Sequence, residues 1–209
     1  MDTGKGHRRV VTGHQGGKSV VLSDQRREPY KFRTVVGFEH TYMWSTDGSL
    51  ESDPDTVEQE LPKSALPSVN GSLLHVVTFP PAKTAASSTS DPSQVAEEYL
   101  TRVPGLADTF EHDGSQMHTT QTVDYAILLD GELWLELDDG ETVHLVAGDI
   151  VVQQATRHGW RNKGEHPATI AFRAAANIRT RSSGQGQRAM FRKRTGFRHR
   201  RLNSSSYVN

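Results

Sequence analysis

Apolar positions along the chain fall in short runs at β-type spacing, separated by turn residues. Runs at 10–11, 19–22, 34–38 and 41–44 come first, and each predicts a small strand. Residues 45–70 are rich in Asp, Ser, Pro and Glu and have little periodicity, which predicts a long loop or arm lying over the rest. A strand at 73–79 is stopped by Pro80 and Pro81. After a small, polar stretch, Asp91 and Pro92 read as an N-cap and first helical residue. The helix they open, at 92–103, carries Val95, Tyr99, Leu100 and Val103 on one face.

From Met117 onward the pattern becomes regular. Six short strands are predicted at 123–129, 132–137, 142–146, 149–154, 158–161 and 168–173. They are broken at Asp130-Gly131, Asp138-Asp139-Gly140, Ala147-Gly148 and Lys163-Gly164. Such spacing argues for an all-β sandwich or barrel with a single helix. The chain then divides into strands and arm (1–80), a linker with the helix (81–116), a regular core (117–172) and a tail (173–209).

Charge sharpens this division. The net charge of −1 hides ten Lys or Arg and no Asp or Glu from position 173 onward, against an acidic remainder. The run Phe191 to Arg201 reads as an anionic-surface or nucleic-acid patch, or as a segment outside the evolved domain; its Ser, Gly and Gln content predicts disorder in isolation. The absence of Cys among 209 residues excludes disulfides, thiolate metal sites and a cysteine nucleophile, so any metal must sit on His, Asp, Glu or water. No run approaches the roughly 20 apolar residues of a membrane-spanning helix, and the N-terminus lacks a signal-peptide core. The expectation is a soluble, cytoplasmic protein without nucleic-acid or membrane partners for its domain.

The segment His118, Thr120, Asp124 and Gly131, followed by Gly148-Asp149, Gln154, His158 and Asn162, resembles the two sequence motifs of the cupin superfamily. The separations Asp124 to Gly131 and His158 to Asn162 match. Thr120 stands where the first motif has its second His, and Asp124 stands where it has Glu. Residues 8–80 are also similar to the N-terminal part of small single-domain cupins of fungal and bacterial metabolite pathways. The resemblance implies a cupin jelly-roll (double-stranded β-helix) barrel with an N-terminal strand arm, and a homodimer formed through those strands.

Side chains alternate along a strand, so His118, Thr120, Thr122 and Asp124 are expected on one face, and Gln154, Thr156, His158 and Trp160 on another. Barrel closure would then oppose His158 to His118 and Asp124, a two-His, one-carboxylate set suited to iron, manganese or zinc. The implied enzyme would use His118, His158 and Asp124 on a small oxygenated or carboxylated metabolite, by dehydration, decarboxylation, isomerisation or oxidation. Gln154, Trp160 and Thr120 are the candidate substrate contacts, with Arg157 near a substrate carboxylate, and Glu111, His112 and Asp113 at a solvated entrance. The alternative is a metal-free cupin that binds a small molecule as a sensor or accessory protein.

Overall fold

The computed structural model describes residues 6–48, 62–88 and 90–176. The tail beyond 176 and much of the 45–70 arm lie outside the described residues. Eleven strands are present within them: β1 (His7–Gln15), β2 (Lys18–Arg27), β3 (Tyr30–Lys31), β4 (Glu39–Thr46), β5 (Ser72–Phe79), β6 (Thr122–Asp130), β7 (Glu132–Glu136), β8 (Thr142–Val146), β9 (Ile150–Gln154), β10 (Gly159–Arg161) and β11 (Ala168–Ala176). Two helices, α1 (Ala82–Ala85) and α2 (Pro92–Arg102), lie between β5 and β6. Asp91 caps α2 as its sequence predicts, accepting from Ser93 N at 2.8 Å while Gln94 reaches back to the Asp91 amide.

The strands form a β1–β2 hairpin, a six-stranded sheet ordered β3-β4-β5-β11-β6-β9, and a three-stranded sheet ordered β10-β7-β8. The two larger sheets pack face to face as an open jelly-roll of entirely antiparallel strands, not one closed ring of hydrogen bonds. Their shared core is built by alternation: Val77, Ala126, Leu128 and Ile170 from the larger sheet meet Leu133, Leu135, Leu145 and Trp160 from the smaller. The β6–β7 turn needs Gly131, whose φ is +77° and where a Cβ would lie 2.6 Å from the Pro167 carbonyl oxygen. On the outer face of β6 and β9, Tyr125, Ile127, Ile150 and Val152 remain exposed. No helix among the described residues is long and apolar enough to cross a membrane.

Two departures from the sequence pattern have physical causes. The residues at 82–85 form a single helical turn closed by bonds to the Pro81 and Ala82 carbonyls, so the helix at 92–102 is not alone. The strand expected at 34–38 is a turn. Glu98 on α2 gathers it, accepting from Arg33 N at 3.0 Å, Thr34 N at 2.9 Å, Thr34 Oγ1 at 2.5 Å and Tyr30 Oη at 2.6 Å. Partial burial works against the Glu98 charge, but these donors hold its carboxyl down to about 2. Phe32, turned inward by this loop, packs edge-on against Phe38 and beside Tyr99, which fastens α2 over the open end of the sheets.

Glu98→Ala is therefore expected to cost about 1–3 kcal/mol by stranding the donors of the 30–34 turn. Urea denaturation checks this, and a loss no larger than that of an exposed α2 substitution such as Glu97→Ala would contradict it.

Candidate functional site

His118 and His158 lie on segments too short to count as strands, yet they are the join between the loop after α2 and β10. His118 N donates to His158 O at 2.9 Å and His158 N donates to His118 O at 2.9 Å. A residue pair that exchanges both backbone bonds in an antiparallel ladder places its side chains side by side on one face. The two imidazoles accordingly touch, with ring centroids 4.3 Å apart. On its other flank His118 is bridged to Phe110, whose ring lies 4.8 Å away, so the small sheet continues through 158, 118 and 110.

Backbone carbonyls fix how these rings present themselves. His158 Nδ1 lies 2.9 Å from Thr156 O and His118 Nδ1 lies 3.4 Å from Gln116 O. A carbonyl only accepts, so in both rings Nδ1 carries the proton and Nε2 keeps a lone pair. Neither Nε2 has a hydrogen-bond partner among the described residues. Burial, followed by the neighbouring His158, pushes His118 down to about 4, and burial lowers His158. The pair is neutral at physiological pH.

Asp124 enters from the larger sheet, in register with Ala174 on one side and Gln153 on the other. Its Oδ2 accepts from Thr120 Oγ1 at 3.4 Å, and Thr120 and Thr122 share a 2.7 Å bond. Its Oδ1 is buried without a partner among the described residues. Burial raises the Asp124 pKa, with Thr122 and His158 pulling the other way. Thr120, in place of a second histidine, thus holds the carboxylate.

His118, His158, Asp124, Thr120 and Phe110 line one cavity of about 970 Å³, together with Trp160, Phe172 and, from α2, Tyr99. The walls are largely aromatic and aliphatic, the composition of a pocket for a small organic molecule. Trp160 joins His158 to Phe172 through edge contacts at 5.8 and 5.4 Å.

Several expected roles change. Gln154 points outward and does not line the cavity; Gln153 is buried instead. The alternation breaks at Ala155, a non-glycine residue with φ of +53°, so counting by twos from Trp160 and His158 reaches the wrong side of β9. Arg157 is engaged by the chain's own carboxylates, gripping Glu111 through Nε and Nη2 at 2.6 Å each and Asp138 through Nη1 at 2.9 Å. Glu111 and His112 line the cavity mouth as expected, while Asp113 caps Ser115. Asn162 organises the β10–β11 turn, donating to Phe79 O and His166 O.

The metal expected on His118, Asp124 and His158 does not find its ligand set assembled. Among the described residues no group of three or more His, Asp or Glu side chains is placed to hold an ion. The two Nε2 lone pairs and the bare Asp124 Oδ1 are suitable donor types, but Asp124 is held at Oδ2 by Thr120, and the histidine that would complete the set is that threonine.

Sequence reasoning passed over a second histidine pair in the same cavity. His40 on β4 and His75 on β5 are both buried, with His40 Nε2 and His75 Nδ1 2.8 Å apart. Burial lowers His75 to about 4 and takes His40 well below its ordinary value. The signal was available: inward positions 73, 75 and 77 read Leu, His, Val, a polar residue amid a core face.

Comparison with known proteins gives partial likenesses. No protein-family profile matches the chain. It is 51% identical over 49 residues to Phomopsin biosynthesis cluster protein C' of Diaporthe leptostromiformis, 23% of this chain and 26% of that protein, so the match spans about a quarter of that relative's length. Oryzines biosynthesis cluster protein J of Aspergillus oryzae is 28% identical over 171 residues, 81% of this chain and 80% of that protein. The cupin-domain-containing oxidoreductase virC of Hypocrea virens is 44% identical over 48 residues, 23% of this chain and 25% of that protein. Among solved structures, an RmlC-like cupin family protein with a double-stranded β-helix fold from Methanocaldococcus jannaschii aligns with a TM-score of 0.33 at 14% identity, over 50% of this chain and 70% of that one.

The lowered histidines predict a direction for stability against pH. Unfolded, they take up protons below their ordinary value of 6.5; folded, His118 and His75 resist until about 4. Unfolding therefore binds protons in this window, and stability is complete above 6.5 and declines as pH falls toward 4. Asp124, raised by burial, runs the other way, losing its contribution as pH rises through its folded value. The melting temperature is expected to drop by roughly 10 °C between pH 7 and 5, and less steeply in His118→Gln. A flat profile in calorimetry would contradict the neutral, buried assignment.

Proposed function

We propose that this cupin-like chain is an enzyme of secondary metabolism that moves a proton on a small oxygenated metabolite held in the cavity. The observation that carries the reading is the meeting, inside an apolar pocket, of two neutral imidazoles and a carboxyl whose Oδ1 has no partner among the described residues. The likeness to proteins of biosynthesis clusters and to cupin-domain oxidoreductases supports the metabolic setting.

The chemistry follows from what each atom can do. A neutral imidazole fixed with its proton on Nδ1 offers Nε2 only as an acceptor, so His118 and His158 bind and orient a hydroxyl or enol hydrogen. Asp124 is the carboxyl beside them on the cavity wall that can take a proton from a carbon beside a carbonyl, or return one to a leaving hydroxyl. Its raised pKa brings it closer to the working pH of a general base than an exposed aspartate would be. Thr120 shares a bond with Thr122 and donates to Oδ2, which steadies the carboxyl. Enolisation of this kind is the shared first step of isomerisation and of dehydration next to a carbonyl.

The test is proton exchange in D2O with small aryl alkyl ketones and β-dicarbonyl compounds, which carry a hydrogen on the carbon beside the carbonyl, followed by NMR at that carbon. Asp124→Asn is expected to slow enzyme-dependent exchange by roughly 10²–10⁴-fold, while Gln154→Ala leaves it unchanged. Exchange indifferent to Asp124→Asn would overturn the reading. So would exchange that vanishes on chelation and returns with one equivalent of iron, manganese or zinc, which would restore His118, His158 and Asp124 as metal ligands.

A further inference from the structure

The mechanism above leaves the His40–His75 pair unused, although it costs the fold two buried polar rings on the cavity wall. Both rings are at least nine-tenths buried, and their bond to one another is the only hydrogen bond either ring makes among the described residues. His40 Nδ1 and His75 Nε2 thus lack a protein partner there.

The pair differs in kind from His118 and His158. Those two rings are each tied to a carbonyl and can only accept from a ligand. In the His40–His75 pair one proton lies between Nε2 and Nδ1, and neutrality of both rings then dictates the far atoms. If His40 donates, His75 Nε2 carries a proton and His40 Nδ1 is bare; if His75 donates, the assignments exchange. In either arrangement one far nitrogen donates and the other accepts, and a double tautomer shift swaps them without creating charge.

Position matters as much as chemistry. His75 is in register with Phe172, which is in register with Ala126, and Asp124 lies two residues further along β6 on the same inward face. That lattice separates the Cα atoms of His75 and Asp124 by roughly 12 Å. Between the two polar centres the rings of Phe172 and Trp160 form a continuous apolar wall, in contact with His75 at 5.4 Å and His158 at 5.8 Å.

We propose that the His40–His75 pair is a second recognition point of the cavity, binding a hydroxyl or phenol oxygen at the far end of an elongated, mostly aromatic ligand whose other oxygen group meets His118 and His158. The assignment deepens the reading of the cavity as a metabolite site and rests on it, but not on the proton transfer assigned to Asp124. Because the pair can turn either a donor or an acceptor toward the ligand, it tolerates a free phenol and a carbonyl at this end equally, while rejecting a bare hydrocarbon.

The experiment uses the intact chain with histidine ring nitrogens labelled with 15N, titrated with 2-naphthol and, in parallel, with naphthalene. The naphthol is expected to shift the His40 and His75 ring-nitrogen resonances and to bind about tenfold more tightly than naphthalene. In the double variant His40→Leu/His75→Phe, which removes both polar rings together, that preference is expected to disappear. Shifts confined to His118 and His158 would overturn this assignment while leaving the cavity a ligand site. Equal affinity for the two probes in the unaltered chain would overturn it as well, and no response of any cavity histidine to either probe would overturn both it and the metabolite-site reading. The wild-type spectra decide the matter even if the double variant fails to fold.

Discussion

Two reciprocal backbone hydrogen bonds between His118 and His158 set the terms for the rest of the site. They join a loop that has wandered through α2 to the start of β10, and they bring side by side two rings separated by forty positions in sequence. Once the backbones are locked in this register, neither ring can turn its Nδ1 toward the cavity without giving up its carbonyl. The pairing sets where the rings lie, the Thr156 and Gln116 carbonyls set their tautomer, and burial keeps them neutral.

The two sheets then supply complementary halves. The smaller one, extended through 158 and 118, brings imidazoles; the larger brings Asp124, His75 and His40 along successive inward positions of β6, β5 and β4. Burial on these walls pushes His75, His118 and Asp124 toward their neutral forms. What results is a cavity whose inner wall carries two pairs of neutral imidazoles and the Asp124 carboxyl, the groups on which the proposed function rests.

Much of this was legible in the sequence, and the reasons for the rest are specific. Strands from β6 to β11 could be read because Gly131, Gly148 and the Asp138–Gly140 turn punctuate them, and motif spacing brought His118 and His158 to notice. The turn at 34–38 could not be read from its β-branched residues, because the carboxylate that shapes it belongs to Glu98, some sixty positions away. Gln154 was assigned to the cavity by strict alternation, which the left-handed Ala155 breaks. Nor do donor types alone reveal that Thr120 donates to the Asp124 carboxyl.

The site depends on neutral imidazoles that keep a lone pair on Nε2, and histidine ring 15N spectra recorded through a pH titration examine this directly. His118 and His158 should show the pattern of a neutral ring protonated at Nδ1, with His118 holding it down to about pH 4. A proton on Nε2 in either ring, or titration of His118 near 6.5, would contradict the arrangement from which the function has been argued.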